Sequence, residues 1–203
     1  ANGWSLKKMH RQIMLSAVFQ QAANDRAGYR ATDPENRLLW KMNRQRVSFE
    51  ALRDTVLQAS GQLVREIGGQ PVKITQHPTV PRRTLYGFID RQNLPSVFRT
   101  FDFANPDAHC PDRFTNTVPQ QALFLMNSPF MLSQSRKLVG RAAFSALEND
   151  NQKTMFLYRT IFQREPKPIE LREAGEYVGA NGKDAWALLA QVLLLSNEFR
   201  FTD

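Results

Sequence analysis

A single cysteine is present among the 203 residues of this chain. One thiol excludes an internal disulfide framework, a Cys-x-x-Cys-His haem attachment motif and a zinc site built from several cysteines within this chain. It does not fix the compartment, because proteins with few cysteines occur in the cytoplasm and in the periplasm.

Long apolar runs are also missing. The longest spans residues 187–195 and is interrupted by Gln191, whereas a membrane-spanning helix needs roughly 20 apolar residues. The first residues lack the basic, apolar and small-residue pattern of a secretory signal. We therefore expect no membrane span, and a composition that is 42% apolar and 23% charged predicts a globular domain.

The formal charge of +8 is concentrated near the start of the chain. Residues 1–65 contain 11 Lys and Arg against 5 Asp and Glu, residues 66–118 contain 6 against 5, and residues 119–203 contain 10 against 9. Basic side chains neutralise phosphates, but no helix-turn-helix, zinc-finger or RNP-type motif accompanies them. Nucleic acid is therefore not an expected partner. Binding of another acidic polymer through Lys7, Lys8 and Arg11 remains an alternative, to be tested by its salt dependence.

Helical periodicity dominates both ends of the chain. Apolar residues recur at three- and four-residue spacing, and this predicts helices over about 4–21, 43–63, 120–144 with an end or kink near Asn127, 151–163, 168–178 and 184–197. The pattern predicts a mostly α, irregular domain of about six helices with little or no sheet. We expect a single domain, and because the helical pattern begins almost at the first residue, we expect an upstream part of the protein to precede it.

Residues 67–118 differ from both ends. Six prolines interrupt any long helix there, and the apolar run of residues 84–89 allows at most a brief strand or extended segment. Its aromatic residues argue against disorder, because such side chains anchor a segment on neighbouring helices. We expect a long, ordered, proline-rich loop region within the domain.

Two helix starts carry cap signals. Thr117 and Gln120 have the spacing of a capping box, in which each side chain satisfies a backbone N–H of the first turn. Ser128 followed by Pro129 predicts a second N-cap with proline in the first helical position.

Several motifs together support a family resemblance. In chain order they are GWSLKKMHRQI from Gly3, NRQRVSFEALRD from Asn43, RRTLY from Arg82, FD from Phe101, Cys110, RFTNTVPQQAL from Arg113, Asn127 and SNEF from Ser196. The set resembles a domain-of-unknown-function family that is abundant in planctomycetes and their relatives. The chain departs from the family pattern at Val47, Phe49, Val118 and Gln121, so Gln121 is not a dependable shared functional residue.

The resemblance implies a context rather than a reaction. Members of that family typically form the C-terminal part of large exported proteins, downstream of a c-type cytochrome module and another uncharacterised domain. It therefore implies an extracytoplasmic location, periplasmic or secreted, and upstream domains of the same polypeptide as partners. No cofactor is expected in this segment, since haem c would belong to the missing upstream module.

The segment from Phe101 to Asn127 contains most of the unusual polar chemistry. A calcium site from Asp102, Asn105 and Asp107 lacks the glycine and distal glutamate of an EF-hand loop. His109 and Cys110 are adjacent and would need a third ligand from elsewhere to bind zinc. Three nearby acids oppose formation of a Cys110 thiolate, which a nucleophile requires. We therefore predict no metal site, and a packed structural cysteine is the preferred interpretation.

The arginines of this region have two interpretations. Arg113 with Asp102, and Arg82 and Arg83 with Asp90 or Glu50, would form structural ion pairs, or would present planar forks to a substrate carboxylate or sulfate. Polar side chains at the following helix start would line a saccharide pocket, with Phe101, Phe103 and Phe114 as stacking platforms. The full set of candidate ligand-binding or loop-organising residues is Asp102, Cys110, Arg113, Thr115, Asn116, Thr117, Gln120, Asn127, Arg82 and Arg83.

Three functions follow from these observations. The first is an accessory, interaction or ligand-binding module of an exported, cytochrome-associated multidomain protein, with a protein or saccharide ligand. The second is an extracytoplasmic enzyme of redox or carbohydrate processing, and the third is a basic-patch binder of acidic polymers. The residues identify no catalytic group, so whether the chain is an enzyme stays open.

Overall fold

The computed structural model describes residues 3–113 and 115–202, without the side chain of Lys183. Helices account for 52% and strands for 4% of the structure, which confirms the mostly α class. The described residues form eleven α-helices, seven of them long. Their bounds are α1 Leu6–Met14, α2 Ala27–Thr32, α3 Phe49–Ala59, α4 Ser96–Thr100, α5 Pro119–Asn127, α6 Pro129–Val139, α7 Ala142–Ser145, α8 Asp150–Phe162, α9 Pro168–Asn181, α10 Ala185–Leu195 and α11 Asn197–Arg200.

The chain divides into two compact units, residues 1–46 with 201–203 and residues 47–200. The expectation of a single domain stays a prediction. The first unit contains α1, α2 and the only sheet of the described residues, in which β1 (Gln45–Arg46) pairs antiparallel with β2 (Phe201–Thr202). Outside the helices, Asp33 organises a turn, since its carboxylate accepts hydrogen bonds from the backbone N–H groups of Arg37 and Leu38.

The second unit contains α3 to α11 and the hydrophobic core. Helix α10 packs against α5, α6, α8 and α9, and Met131, Leu138, Leu157 and Leu194 are almost fully buried there. Two 3₁₀ helices, Thr84–Tyr86 and Gly182–Asp184, complete the unit. No helix in the described part of the chain is long and apolar enough to cross a lipid bilayer.

The first helix is shorter than its periodicity predicts. It ends at Met14 rather than near residue 21. The Ser16 hydroxyl donates to the carbonyl of Ile13 at 2.7 Å and accepts from the backbone N–H of Phe19 at 3.3 Å. A serine that bonds to nearby backbone in this way offers an alternative to continued helix, so turns replace the last two helical turns expected.

The predicted capping box at Thr117 is wrong, whereas the cap at Ser128 is confirmed. Helix α5 has Val118 as its N-cap, with an extended backbone and no side-chain cap. Pro119 disfavours a helical conformation in the residue before it, so the helix cannot begin any earlier than the proline. At α6, the Ser128 hydroxyl accepts from the backbone N–H of Met131 at 3.2 Å.

Candidate functional site

The proline-rich region is fixed to α3 by a buried arginine. Arg53 is 3% exposed, and its guanidinium donates to the carbonyl oxygens of Val80 and Arg82 at 2.6 and 2.9 Å and to the Thr84 hydroxyl at 3.2 Å. Burial lowers the pKa of Arg53 and the neighbouring Asp54 partly offsets this, but arginine remains charged in proteins. One side chain therefore fixes backbone groups about thirty positions further along the chain.

Asp54 adds a second attachment beside Arg53. Its carboxylate accepts from both the backbone N–H and the hydroxyl of Thr84, each at 2.7 Å. Arg83 lies 3.8 Å from the same carboxylate, so its predicted partners, Asp90 and Glu50, are wrong. Asp90 instead accepts from the backbone N–H groups of Gln92 and Asn93.

Arg82 also organises the loop, and it does so through backbone carbonyls rather than through an acid. Its guanidinium donates to the carbonyl oxygens of Gly68 and Gln70 and lies 4.4 Å from the centre of the Tyr86 ring. Gly69 has φ +88°, and a Cβ there would lie 3.3 Å from the Arg82 guanidinium. Arg82 and Arg83 thus hold the chain, and neither lines the cleft described next.

A cleft of about 650 Å³ lies beside α4 in the segment that follows it. Four of the predicted site residues line this cleft, namely Asp102, Cys110, Arg113 and Asn116. The wall also contains Arg91, Arg99 and His109 as basic groups, Asp107 as a second acid, and the amides of Gln92 and Asn105. The structure therefore brings together four of the ten candidate residues predicted from the sequence.

Asp102 ties the two ends of the cleft segment together. It follows α4 with φ +58°, and its carboxylate accepts from the backbone N–H of Asn116 at 3.0 Å and from the Asn116 side-chain amide at 3.5 Å. The predicted pair with Arg113 is wrong, because Arg113 forms its ion pair with Glu50 of α3.

Arg113 is held at two points. Its guanidinium lies 2.7 Å from the Glu50 carboxylate and 4.7 Å from the centre of the Phe103 ring. The side chain remains 41% exposed. An arginine positioned by an acid and an aromatic ring, with much of its surface still accessible, is suited to binding an anionic or polar ligand group.

Gln121 connects the two ends of this region, although it departs from the family pattern and was not among the predicted site residues. Its side chain is fully buried, and the amide donates to the carbonyl oxygens of Thr100 and Asn116 at 2.8 and 3.0 Å. The detectable signal was an amide within the first turn of a helix at a position that faces the core. Glu50, the partner of Arg113, was predicted only as a partner of Arg82 or Arg83.

The remaining candidates do not line the cleft. Thr115, Thr117, Gln120 and Asn127 are all exposed. Of the proposed aromatic platforms, Phe101 is buried against Phe49 and Phe124, Phe103 lines the cleft, and Phe114 lies outside the described residues.

Several of the metal and thiol candidates of this segment have defined partners in the structure. No group of three His, Cys, Asp or Glu side chains in residues 3–113 and 115–202 is arranged to hold a metal ion. Asn105 accepts from the backbone N–H of Asp107, and Asp107 lies 3.3 Å from Arg91. Cys110 is exposed, so its interpretation as a packed structural cysteine is wrong, and its thiol donates to the carbonyl oxygen of Asp112 at 3.0 Å.

A second feature of the molecule is the apolar face of α1. Leu6, Met9 and Ile13 lie on one side of this helix and are 67%, 45% and 49% exposed. No residue of α1 is buried. Of the twenty large exposed hydrophobic residues among the described positions, eleven belong to the first unit. A concentration of this kind is typical of an interaction surface.

Comparisons with known proteins give one family match. The sequence model of PSD1, described as a protein of unknown function (DUF1553), matches residues 1–178. No curated protein and no solved structure matches the chain.

Proposed function

The chain belongs to the PSD1 family, and we propose that it serves as an interaction module of a larger exported protein, contacting upstream parts of the same polypeptide through the apolar face of α1. The observation that carries this proposal is the exposure of that face. Apolar surface of this extent is costly to leave in water, and burying it supplies most of the favourable free energy of association.

The proposed setting is extracytoplasmic, downstream of a c-type cytochrome module. It rests on the family resemblance given above. In that setting the module needs no cofactor of its own. Its task would be to hold the neighbouring domains in a fixed arrangement.

Hydrogen exchange of the full-length protein tests the docking of α1. The amide hydrogens of α1 are expected to exchange slowly in the full-length protein and rapidly in this chain alone, because a nine-residue helix without tertiary contacts is marginal in water. The double variant Leu6→Ser, Ile13→Ser should abolish the slow exchange. The control Lys8→Ser, Arg11→Ser changes the other face of the same helix and should preserve it. Equal exchange rates in the two wild-type proteins would refute the proposal.

A second candidate function is supported by the cleft beside α4. Its volume of about 650 Å³ lies within the range of small-ligand sites, and its wall presents a guanidinium, carboxylates and neutral amides. We propose an acidic saccharide as the ligand, with its carboxylate on Arg113 and its hydroxyls on Asn105 and Asn116.

Binding of a uronate oligosaccharide tests this second function. Arg113→Gln should weaken binding about tenfold, the loss expected for one charge-assisted contact. Glu50→Gln is the matched control, because it breaks the same ion pair but keeps the guanidinium. Titration calorimetry with both variants separates loss of the contact from loss of the fold. If the two variants weaken binding equally, Arg113 acts only on structure and the ligand role is refuted.

A further inference from the structure

A larger cleft lies on another part of the second unit, beside α6. It has a volume of about 1040 Å³ and is bounded by the end of α3, the outer face of α6 and the start of α7. Its wall contains the side chains of Arg136, Lys137, Arg141 and His77, together with Ser60 and Ser133. No aspartate or glutamate lines it among the described residues.

The local sequence explains why the cleft has one sign of charge. Between Asp112 and Glu148 the chain contains no acidic residue, while Arg113, Arg136, Lys137 and Arg141 lie in the same stretch. The part of this stretch that forms α6 and the start of α7 supplies three cations to a single concave surface. Clefts lined by one sign of charge concentrate the field and attract ligands of the opposite sign.

Two of these cations are available to a ligand. Arg136 and Lys137 are exposed, and neither forms an ion pair with a carboxylate in the described part of the chain. Other exposed arginines of the second unit do find acids, for example Arg159 with Glu165. Arg65, Lys73, Arg99 and Lys167 are also exposed without an ion pair in the described part of the chain, so what distinguishes Arg136 and Lys137 is that they line one cleft together with Arg141.

Arg141 is the fixed member of the group. It is half-buried, one of its guanidinium nitrogens donates to the carbonyl of Ala59 at 2.9 Å, and the guanidinium lies 5.5 Å from the centre of the Phe156 ring. Gly61, with φ +72°, lies against it, since a Cβ there would be 3.5 Å from Arg141 Nε. A preorganised arginine loses less conformational entropy when it binds a ligand.

A structural explanation accounts for only part of this charge. Cations in the last turn of α6 interact favourably with the helix dipole, which explains Arg136 and Lys137. Capping does not require them, because the carbonyl oxygens of Arg136 and Leu138 already accept from the backbone N–H groups of Gly140 and Arg141. The dipole also leaves the placement of Arg141 and His77 in the same wall unexplained.

We infer that this cleft binds a ligand carrying a tetrahedral oxyanion, a sulfate or phosphate ester, with Arg136 and Lys137 on the anion and Arg141 as the fixed fork. Guanidinium groups match such oxyanions with two parallel hydrogen bonds. The cleft also has room for a saccharide-sized body next to the ester. This site shares no residue with α1 or with the lining of the cleft beside α4, and it does not depend on either proposed function.

Titration calorimetry at low salt tests the inference with four probes: inorganic sulfate, inorganic phosphate, a sulfated disaccharide and a sugar monophosphate. The wild-type chain should bind at least one ester saturably. The variant Arg136→Gln, Lys137→Gln should weaken that binding at least about tenfold. Lys7→Gln, Lys8→Gln removes the same charge from the first unit and should leave the affinity within about twofold. Circular dichroism checks that both variants keep the helical content of the wild type.

The four probes distinguish the two possible sources of the oxyanion. Preference for the sulfated disaccharide identifies a sulfated saccharide as the source of the oxyanion, and preference for the sugar monophosphate identifies an organic phosphate. Saturable binding by wild type together with equal losses in the two double variants would mean that affinity follows net charge alone, which overturns the inference. Absence of saturable binding for all four probes also overturns it.

Discussion

Helices α1 and α6 are both amphipathic, but the apolar face of α6 is buried and the apolar face of α1 is exposed. In α6, Met131 and Leu138 are almost fully buried in the core of the second unit. In α1, no residue is buried, and Leu6, Met9 and Ile13 are 67%, 45% and 49% exposed within the described part of the chain. Periodicity thus indicates that a helix has a face to bury. It does not indicate whether the covering surface belongs to the same chain.

The largest effect is expected in the core of the second unit. Leu138→Ala removes a side chain with no exposed surface and leaves a cavity among α6 and its neighbours. The free energy of unfolding should fall by about 3–4 kcal/mol, the usual cost of such a truncation. Urea denaturation measures it. A loss below about 1 kcal/mol would mean that this core is loosely packed, and the contrast with α1 would disappear.

The next largest effect concerns Arg53, which connects the core helix α3 to the proline-rich region. Arg53→Met keeps much of the side-chain volume but removes the donors to Val80, Arg82 and Thr84. We expect a loss of about 3 kcal/mol, because three hydrogen bonds from a buried cation disappear and two carbonyls lose a donor.

Arg53→Lys is the matched control for this prediction. It keeps the charge but cannot reproduce the forked geometry, so it should restore only part of the stability. Hydrogen exchange should show faster exchange at Thr84 in both variants. If Arg53→Met is as stable as wild type, the region is ordered by its aromatic residues instead.

A smaller effect is expected at the ion-pair cluster between α8, α9 and α11. The Arg164 guanidinium contacts the Glu170 carboxylate at 2.7 and 2.8 Å and the Glu198 carboxylate at 2.6 and 2.8 Å. These contacts lower the pKa of Glu170, chiefly through the hydrogen bond from Arg164, and raise the pKa of Arg164. Glu170→Gln should cost about 1–2 kcal/mol at neutral pH, because the cluster is partly exposed.

The pH dependence of this difference has a definite sign. Because the pKa of Glu170 is lower in the folded chain, its contribution is fully present above the unfolded pKa of about 4.3 and is lost as pH falls through the folded pKa. The stability gap between wild type and Glu170→Gln should therefore be constant from neutral pH to about pH 5 and narrow below about pH 4. A gap that widens on acidification would contradict the assignment.

The sequence predicted the class of the fold and most helix positions, because proline, glycine and cap residues mark the ends. The predicted helix bounds were wrong where a single residue overrides the apolar periodicity. Ser16 ends α1 early, and Pro119 sets the start of α5. At the cleft beside α4, the sequence located the polar residues but not their partners. Arg113 could be matched to several acids of the chain, and only the packing of α3 selects Glu50.

The smallest effect on stability is expected at the exposed face of α1, where a truncation can be compared directly with the one in the core. Leu6→Ala is the same chemical truncation as Leu138→Ala, at a side chain that is 67% exposed. It should change the free energy of unfolding of this chain by no more than about 0.5 kcal/mol, since no buried contact is lost and alanine favours helix. Urea denaturation of both variants under the same conditions gives the ratio of the two losses in the free energy of unfolding. A loss at Leu6 above about 1.5 kcal/mol would mean that the face is already covered within this chain, and an interaction surface there would lose its physical basis.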